Sequence, residues 1–274
     1  MIKLTEKEKK KIIRADYSYH HVRKYALKNG TYYVKHCYEN EAIRELIGEK
    51  LFSMVGIKCP EYLYLIEHKK LISKDLHSLS KFMYMEEVPN IKEDLYWRCI
   101  TLDIVREAVI NEVRNKEEIL LQINIMHFMD ILFSNIDRHL GNYGIFFDKN
   151  RNGYLAVFDN GLLIDNLDCV TKPLSKTGIK GFNPKGQECE YFLENLPLEH
   201  KKIIYEIFLK FTPNVLEKII DDIENEYNYK FKLSKKILRE YKKNYIMIYL
   251  IINKSIQNEL KKEVSQEMKL NKSK

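Results

Sequence analysis

The chain lacks a long apolar run. Its longest uninterrupted apolar stretch, YIMIYLII at residues 245–252, is eight residues long, whereas a helix that crosses a bilayer needs about 20 apolar residues. The first residues, MIKLTEKEKKKI, are rich in charge and contain no apolar signal segment. These absences predict a protein that has no membrane span and that works in the cytoplasm.

Cysteine is scarce and scattered. The 274 residues contain five cysteines, and none of them forms a C-x-x-C pair with another. Neither a zinc site nor a disulfide framework is therefore indicated. Reduced thiols, as in a cytosol, are expected for Cys37, Cys59, Cys99, Cys169 and Cys189.

The net charge of +7 raises the question of a nucleic-acid partner. Residues 261–274 hold five lysines against two glutamates, which supplies +3 of that total. We expect this segment to be a frayed tail. Most other lysines alternate with acidic residues, as on solvated helix surfaces, so nucleic acid is not expected to be the main ligand.

The first third of the chain has the pattern of strands and one helix. The strand-like segments are residues 22–28, 31–37, 61–67 and 70–76. Asn29-Gly30 separates the first two and favours a two-residue type I′ hairpin turn. Apolar residues at helical intervals predict a helix over residues 39–55, which Gly56 ends.

The remainder of the chain is mainly helical by pattern. Residues 117–134 are apolar almost all round, which predicts a helix buried in the core. Thr212-Pro213 has the form of an N-cap followed by proline at the first helical position. Ser234 is placed to cap another helix that runs to about residue 258. The patterns together predict an α+β chain with a small β-rich lobe over residues 1–76 and a larger helical lobe over residues 77–274.

One short polar segment, NIDRHLGNYG, follows the most apolar helix. It places Asp137 five residues before Asn142, and a β-hairpin is predicted next, YGIFFD and YLAVFD joined by a KNRNG turn. The second strand of this hairpin ends in Asp159. Because a hairpin returns the chain to its starting point, we expect two carboxylates and one amide to face a single small volume.

Oxygen ligands without clustered cysteine or histidine suit a hard cation such as Mg²⁺. Phosphoryl transfer needs a metal to neutralise charge and a carboxylate to orient or deprotonate the attacking hydroxyl. An asparagine and an aspartate can hold the metal, which leaves Asp137 near the acceptor. His139, two residues further on, is placed to donate to a phosphate oxygen.

A nucleotide also needs a cation over its phosphates. Pleat alternation puts Lys35 on the inner face of its strand. The following helix offers Glu41 and Glu45, one turn apart, as acidic partners for this lysine. The strand that leaves the small lobe is expected to give backbone groups to the adenine ring, and its cofactor-binding residues are Ser73, Lys74, Asp75 and Leu76.

DRHLGN followed by VFDNG, with VKH in a β-rich lobe ahead, resembles the HipA-like serine/threonine kinases, a branch of the protein-kinase-like fold. Among them, the short CtkA-like members are the most similar. NEAIRELIGEKLFSMVGIKCP resembles the first helix of the family, and by that register Glu45 rather than Glu41 pairs with the lysine. LISKDL is similar to the hinge strand. The resemblance spans roughly residues 20–175.

The resemblance implies a two-lobed kinase-like fold, ATP and Mg²⁺ as cofactors, and phosphorylation of serine or threonine in a protein substrate. By this resemblance Asp137 is the catalytic base, and His139 lies near the transferred phosphate. Asn142 and Asp159 hold Mg²⁺, and Lys35 contacts the nucleotide phosphates. Autophosphorylation in a small-lobe loop and a toxin-like role with a regulatory partner are also implied.

The chain departs from most kinases ahead of Val22, where ADYSYHH contains no glycine and therefore no flexible phosphate-covering loop. Ser18 in this segment is a candidate autophosphorylation site. The chain also begins close to the ATP lobe, without the additional N-terminal subdomain of full-length HipA, so an antitoxin-like partner is not specified.

Two alternatives stay open from the sequence. A lipid or small-molecule kinase would use the same core, with an anionic headgroup bound by basic residues after the metal site: Lys172, Lys176, Lys180 and Lys185. A pseudokinase would bind ATP or a partner without turnover. The complete set of Lys35, Asp137, Asn142 and Asp159 favours an active enzyme. The sequence identifies neither the protein substrate nor a regulator.

Overall fold

The computed structural model describes residues 2–14, 22–76, 81–84, 111–135, 138, 140–164, 189 and 192–272. Several residues discussed above lie outside these ranges: Ser18, Cys99, Asp137, His139, Cys169, Lys172, Lys176, Lys180 and Lys185. Strands dominate the N-terminal part of the chain and helices the C-terminal part, which confirms the α+β class.

Seven strands and six α-helices of the described residues build the fold. The strands are β1 (Val22–Leu27), β2 (Gly30–His36), β3 (Tyr62–Leu65), β4 (Lys70–Lys74), β5 (Lys81–Tyr84), β6 (Tyr143–Phe147) and β7 (Gly153–Val157). The helices are α1 (Glu6–Arg14), α2 (Glu39–Met54), α3 (Lys116–Leu132), α4 (Leu198–Lys210), α5 (Pro213–Tyr227) and α6 (Ser234–Lys272).

The N-terminal sheet is antiparallel, with strand order β1-β2-β4-β3. Across β2 and β4, Tyr33 pairs with Ser73 and Lys35 with Leu71. Since successive side chains point to opposite faces of a strand, Lys35 shares a face with Tyr33. Val34 points to the other face, where it is fully buried.

The turn between β1 and β2 lies one residue earlier than the sequence predicts. Leu27 pairs with Gly30, so the loop residues are Lys28 and Asn29. Neither loop residue has a positive φ, which a type I′ turn requires. The positive φ belongs to Gly30, at 130°, where β2 begins. The hairpin is confirmed, but its predicted turn is wrong.

The sequence pattern does not predict helix α1, because EKEKKKIIR contributes only Ile12 to the interior. This side chain packs with Val34 and Ile72 on the outer face of the sheet. The Lys70 ammonium donates to the carbonyl oxygens of Ile12 at 2.8 Å and Ile13 at 2.9 Å. A cation at the C-terminal end of a helix is stabilising, so the sheet supplies the partner that holds α1.

Helix α2 confirms the predicted helix and ends before Gly56, whose φ is 75°. The first residue of this helix, Glu39, attaches it to the C-terminal part of the chain. One carboxylate oxygen of Glu39 accepts a hydrogen bond from the Lys232 backbone N–H at 2.6 Å, and the other accepts one from the Tyr229 hydroxyl at 3.2 Å. These bonds attach α2 to the segment between α5 and α6.

The C-terminal part packs helices around a second antiparallel sheet, of order β5-β6-β7. Helix α3 is buried along most of its length, as predicted, and β6 and β7 form the predicted hairpin. Stacked aromatic rings join the helices. The ring centroids of Phe133 and Tyr241 lie 4.7 Å apart, and those of Phe208 on α4 and Tyr245 on α6 lie 4.6 Å apart.

No described helix is both long and apolar enough to cross a membrane.

Helix α6 continues to Lys272, whereas the sequence predicts an end near residue 258 and a frayed tail after it. Lysine, glutamate and glutamine dominate the additional turns, and all three are good helix formers. Ser234 is the first residue of the helix and not the residue before it, so it does not occupy the predicted N-cap position; its hydroxyl donates to a carboxylate oxygen of Glu224 at 2.6 Å. Helix α5 does begin at Pro213 after Thr212.

Candidate active site

A cavity of about 350 Å³ lies between the inner face of the N-terminal sheet and the end of strand β7. Most of the site residues that the sequence predicts line this cavity together: Lys35, Glu45, Ser73, Lys74, Leu76, Asn142 and Asp159. Apolar and aromatic side chains complete its wall, among them Val22, Tyr33 and Leu71. The fold thus brings residues from distant parts of the sequence to one concave site.

Lys35 forms the centre of a charge cluster in this cavity. Its ammonium donates to Glu41 at 2.9 Å, to Glu45 at 3.1 Å and to Asp159 at 3.2 Å. Only 19% of the lysine side chain and 1% of the Glu45 side chain are exposed, so this pair is weakly screened by solvent, whereas the Asp159 side chain is 49% exposed and its pair with Lys35 is screened more. The lysine pairs with both glutamates, and not with Glu45 alone as the family register implies.

Burial and charge act in opposite directions on these groups. Burial works to lower the pKa of Lys35, but Glu45, Asp159 and Glu41 raise it above the ordinary lysine value. Burial raises the pKa of Glu45 to about 7, although Lys35 opposes the change. Burial also acts to raise the pKa of Asp159, but the charge of Lys35, together with hydrogen bonds to Glu45 and Lys35 and the charge of Arg138, outweighs burial and holds that pKa below the ordinary value. Asp159 is therefore ionised at neutral pH.

Backbone contacts of the two residues before Asp159 hold the end of strand β7. The backbone N–H of Phe158 donates to the carbonyl oxygen of Asn142 at 2.8 Å. One residue earlier, the Val157 N–H donates to the carbonyl oxygen of Lys58 at 2.9 Å, which ties the strand to the segment after α2. Asp159 then turns with a φ of 48°, in the left-handed region. Asn142 and Asp159 line the same cavity, as the sequence predicts, whereas Asp137, the third residue of that prediction, lies outside the described residues.

Arg138, inside the DRH motif, is a candidate site residue that the sequence did not predict. Its guanidinium is fully buried and pairs with Asp130 of helix α3, with a distance of 3.0 Å from Nε to Oδ2. It also donates to the carbonyl oxygens of Asn142 at 3.0 Å and Phe158 at 2.8 Å. One available signal is Asp130, the one carboxylate among residues 119–132 of the buried helix.

The two residues after Asp159 explain the rest of the DNG motif. Asn160 is fully buried; its backbone N–H donates to Glu45 at 2.7 Å, and its side-chain oxygen accepts from Arg138 at 2.8 Å. A Cβ on Gly161 would lie 2.6 Å from Cγ of Glu41. Glycine is needed there because the glutamate that pairs with Lys35 occupies the space.

The predicted hinge strand lines the cavity, with one exception. Asp75 is not among the lining residues; it is buried, its carboxylate lies 3.6 Å from the Lys24 ammonium, and its backbone N–H donates to Thr31. The Lys74 N–H donates to the carbonyl oxygen of Glu61. Asp75 thus does not line the cavity, because its N–H continues the sheet pairing beyond β4, and its contact with a nucleotide stays a prediction.

The donor set of the cavity fits a hard cation. Asp159 supplies a carboxylate and Asn142 an amide oxygen, and both line the same cavity. Carboxylate oxygens of Glu41, Glu45 and Asp159 also lie within 4.8 Å of one another, and the Lys35 ammonium is bonded to all three. Oxygen donors without sulfur or imidazole suit Mg²⁺.

Comparisons with known proteins agree with this geometry at the level of the fold. No family model matches the chain, and no curated protein matches its sequence. Among solved structures, the proinflammatory kinase CtkA of Helicobacter pylori is similar with a TM-score of 0.64 and 19% identity, over 87% of this chain and 95% of CtkA.

A second similar structure is HipA of Shewanella oneidensis MR-1, solved with HipB and operator DNA. It matches with a TM-score of 0.53 and 12% identity, over 79% of this chain and 57% of HipA. The predicted two-lobed kinase-like architecture is thereby confirmed. The chain has the fold that CtkA and HipA share.

Proposed function

We propose that this chain is an ATP-dependent kinase of the HipA-like type, which transfers the γ-phosphoryl group of ATP to a serine or threonine hydroxyl of a protein, including its own. The observation that carries this proposal is the contact between Lys35 and Asp159, with Asn142 beside them in one cavity. Phosphoryl transfer depends on positioning and charge stabilisation, and these three side chains are the types that it requires.

The cavity is lined by both polar and apolar side chains. Lys35 would hold the nucleotide phosphates, while Asp159 and Asn142 would hold Mg²⁺. Bound Mg²⁺ would supply charge neutralisation on the phosphates. Val22, Leu71 and other apolar side chains of the lining offer the surfaces that a flat base needs.

The remaining chemistry belongs to the DRH segment. Asp137 would accept the proton of the attacking hydroxyl, and His139 would donate a hydrogen bond to the transferred phosphate. Arg138 lies between them in sequence and is fixed by Asp130, Asn142 and Phe158. This rigid support favours turnover over a binding role alone, since catalytic groups require a fixed geometry.

The test is incubation with γ-labelled ATP and Mg²⁺, followed by mass spectrometry of any labelled residue. Wild type would be compared with Asp137→Ala, Asp159→Asn and the control Asp222→Ala, an exposed position on α5. We expect transfer to fall about 100-fold or more in the first two variants and to be unchanged in the control. Full activity of Asp137→Ala would refute the assigned roles.

The acceptor is tested in the same experiment. One arm contains protein substrates and the chain alone, and another contains phosphoinositide vesicles. Label on serine or threonine supports the protein-kinase proposal. Label confined to lipid would replace it with a lipid kinase, and bound ATP without transfer to any acceptor would replace it with a pseudokinase.

A further inference from the structure

The guanidinium of Arg138 uses all five of its N–H groups, which is the full number that arginine has. Nη1 donates to the carbonyl oxygens of Phe158 at 2.8 Å and Asn142 at 3.0 Å. Nη2 donates to the side-chain oxygen of Asn160 at 2.8 Å and to Asp130 at 3.1 Å. Nε completes the set with a second bond to Asp130, at 3.0 Å.

The acceptors of these bonds surround the two proposed metal ligands. One ligand, Asn142, is itself an acceptor through its backbone. The other ligand, Asp159, lies between two acceptors in sequence, Phe158 and Asn160. One planar group therefore contacts the backbone of one ligand and both neighbours of the other.

Asp159 benefits from this support because its φ of 48° is left-handed, a conformation that aspartate adopts more readily than most L-residues but only as a single, locally bonded residue. Such strained residues persist when surrounding bonds hold them. Arg138 bonds to the residue before Asp159 and to the residue after it, and Glu45 holds the Asn160 backbone N–H from the opposite side at 2.7 Å. The left-handed turn is thereby fixed at both ends.

Arg138 is itself held by several contacts. Its side chain is fully buried, and its Nε and Nη2 both donate to the carboxylate of Asp130. The centroid of the Phe52 ring lies 5.3 Å from the guanidinium carbon Cζ. Asp130 is held in turn by the Asn135 side-chain amide at 3.0 Å. A lysine at this position has three donors on a flexible stem and would not reach the same acceptors.

We propose that Arg138 is a positioning residue that sets the spacing between Asn142 and Asp159 and keeps the Asp159 carboxylate directed into the cavity. This inference rests on the proposed function, because it assigns Arg138 to the metal-binding part of that site. It predicts that a loss of the Arg138 bonds weakens metal binding more than nucleotide binding.

The test measures metal and nucleotide separately in the purified full chain. Mn²⁺ binding in the presence of ADP is followed by electron paramagnetic resonance, and ADP binding in EDTA by calorimetry. The variants are Arg138→Lys and Asn160→Ala; the second removes one acceptor of the guanidinium and leaves the Asp130 pair intact. The control is Asn244→Ala. The Asn244 side chain is buried, and its amide donates to the carbonyl oxygens of Ile131 and Leu132 at the end of α3.

We expect Mn²⁺ affinity to fall about 10-fold to 100-fold in Arg138→Lys, the usual cost of losing a group that orients metal ligands, and by less in Asn160→Ala. ADP affinity in EDTA should stay at the wild-type value, and the control should change neither quantity. If Arg138→Lys does not fold, Asn160→Ala provides the test.

If Arg138 has a purely structural role, the variants should lose metal affinity and nucleotide affinity together, or should lose neither. Either result would overturn the inference. In that case wild type would still bind Mn²⁺ and ADP, and the proposed function would stand. If wild type bound neither ligand, the proposed function would fail, and the inference with it.

Discussion

The ammonium of Lys35 lies 3.2 Å from the carboxylate of Asp159, although 124 positions separate the two residues. Lys35 is carried by the N-terminal sheet, and Asp159 follows the last strand of the second sheet. The contact therefore depends on the arrangement of both sheets around one cavity. It also keeps Asp159 ionised, as a ligand for a cation must be.

The charge cluster makes a prediction about stability. In Lys35→Met, three carboxylates within 4.8 Å of one another lose their cation. We expect the free energy of unfolding to fall by about 3 kcal/mol, as for a broken buried ion pair, measured by urea unfolding without nucleotide. Addition of Glu45→Gln should recover part of this loss, because it removes one of the unpaired charges.

The control for this prediction is Lys218→Met, at an exposed position on α5. Its effect should stay within about 0.5 kcal/mol of wild type. Equal stability of Lys35→Met and Lys218→Met would mean that the cluster does not stabilise the fold.

The glycine of the DNG motif makes a second prediction. Gly161→Ala would place a Cβ 2.6 Å from Cγ of Glu41 and should displace this glutamate from Lys35. We expect a loss of about 1 kcal/mol, typical of overpacking. In a Glu41→Ala background the same substitution should cost much less, because the obstructing side chain is absent. Additive effects in the four unfolding measurements would contradict this explanation.

The third prediction concerns pH. Burial raises the pKa of Glu45 from its ordinary value of 4.5 to about 7. Between these two values the folded chain binds a proton that the unfolded chain does not, so this group makes the fold more stable as pH falls through 7 and less stable as pH rises through it. Asp159, whose pKa is lowered, acts in the opposite sense and below this window.

Glu45→Gln should remove this pH dependence. The free energy of unfolding, measured between about pH 5 and pH 8, should show a smaller decline with rising pH in the variant than in wild type. Parallel curves for the two proteins would show that Glu45 is already ionised throughout this range.

The fourth prediction concerns helix α2, which carries Glu45. Its first residue, Glu39, bonds to the segment between α5 and α6. Glu39→Ala removes the bonds to the Lys232 N–H and the Tyr229 hydroxyl. We expect a loss of about 1 kcal/mol and faster hydrogen exchange in α2. The neighbouring exposed position provides the control, Asn40→Ala. Unchanged exchange in Glu39→Ala would mean that these bonds do not hold the helix.

Local pattern was sufficient for much of the site. Strand alternation placed Lys35 on the inner face, and the turn between β6 and β7 returned Asp159 to Asn142. Each of these steps depends on a few neighbouring residues, which a sequence shows directly. The helix that follows Lys35 likewise provides its two acidic partners within one turn of each other.

Other features depend on partners that are distant in sequence or on exact pairing. Helix α1 is held by Lys70, which lies on a strand far from it in sequence. Asp75 is turned from the cavity because its N–H pairs with Thr31. The role of Arg138 depends on acceptors on a helix, a loop and a strand end, and no single spacing in the sequence reveals such a convergence.

The central claim is that the cavity binds a nucleotide with its metal through Lys35, Asn142 and Asp159. The most direct measurement is calorimetric titration of ADP into wild type and Asp159→Asn, each with Mg²⁺ and with EDTA. We predict that wild type binds ADP more tightly with Mg²⁺, and that Asp159→Asn loses this gain while it still binds ADP in EDTA. Absence of ADP binding by wild type, or an equal Mg²⁺ gain in the variant, would contradict the claim.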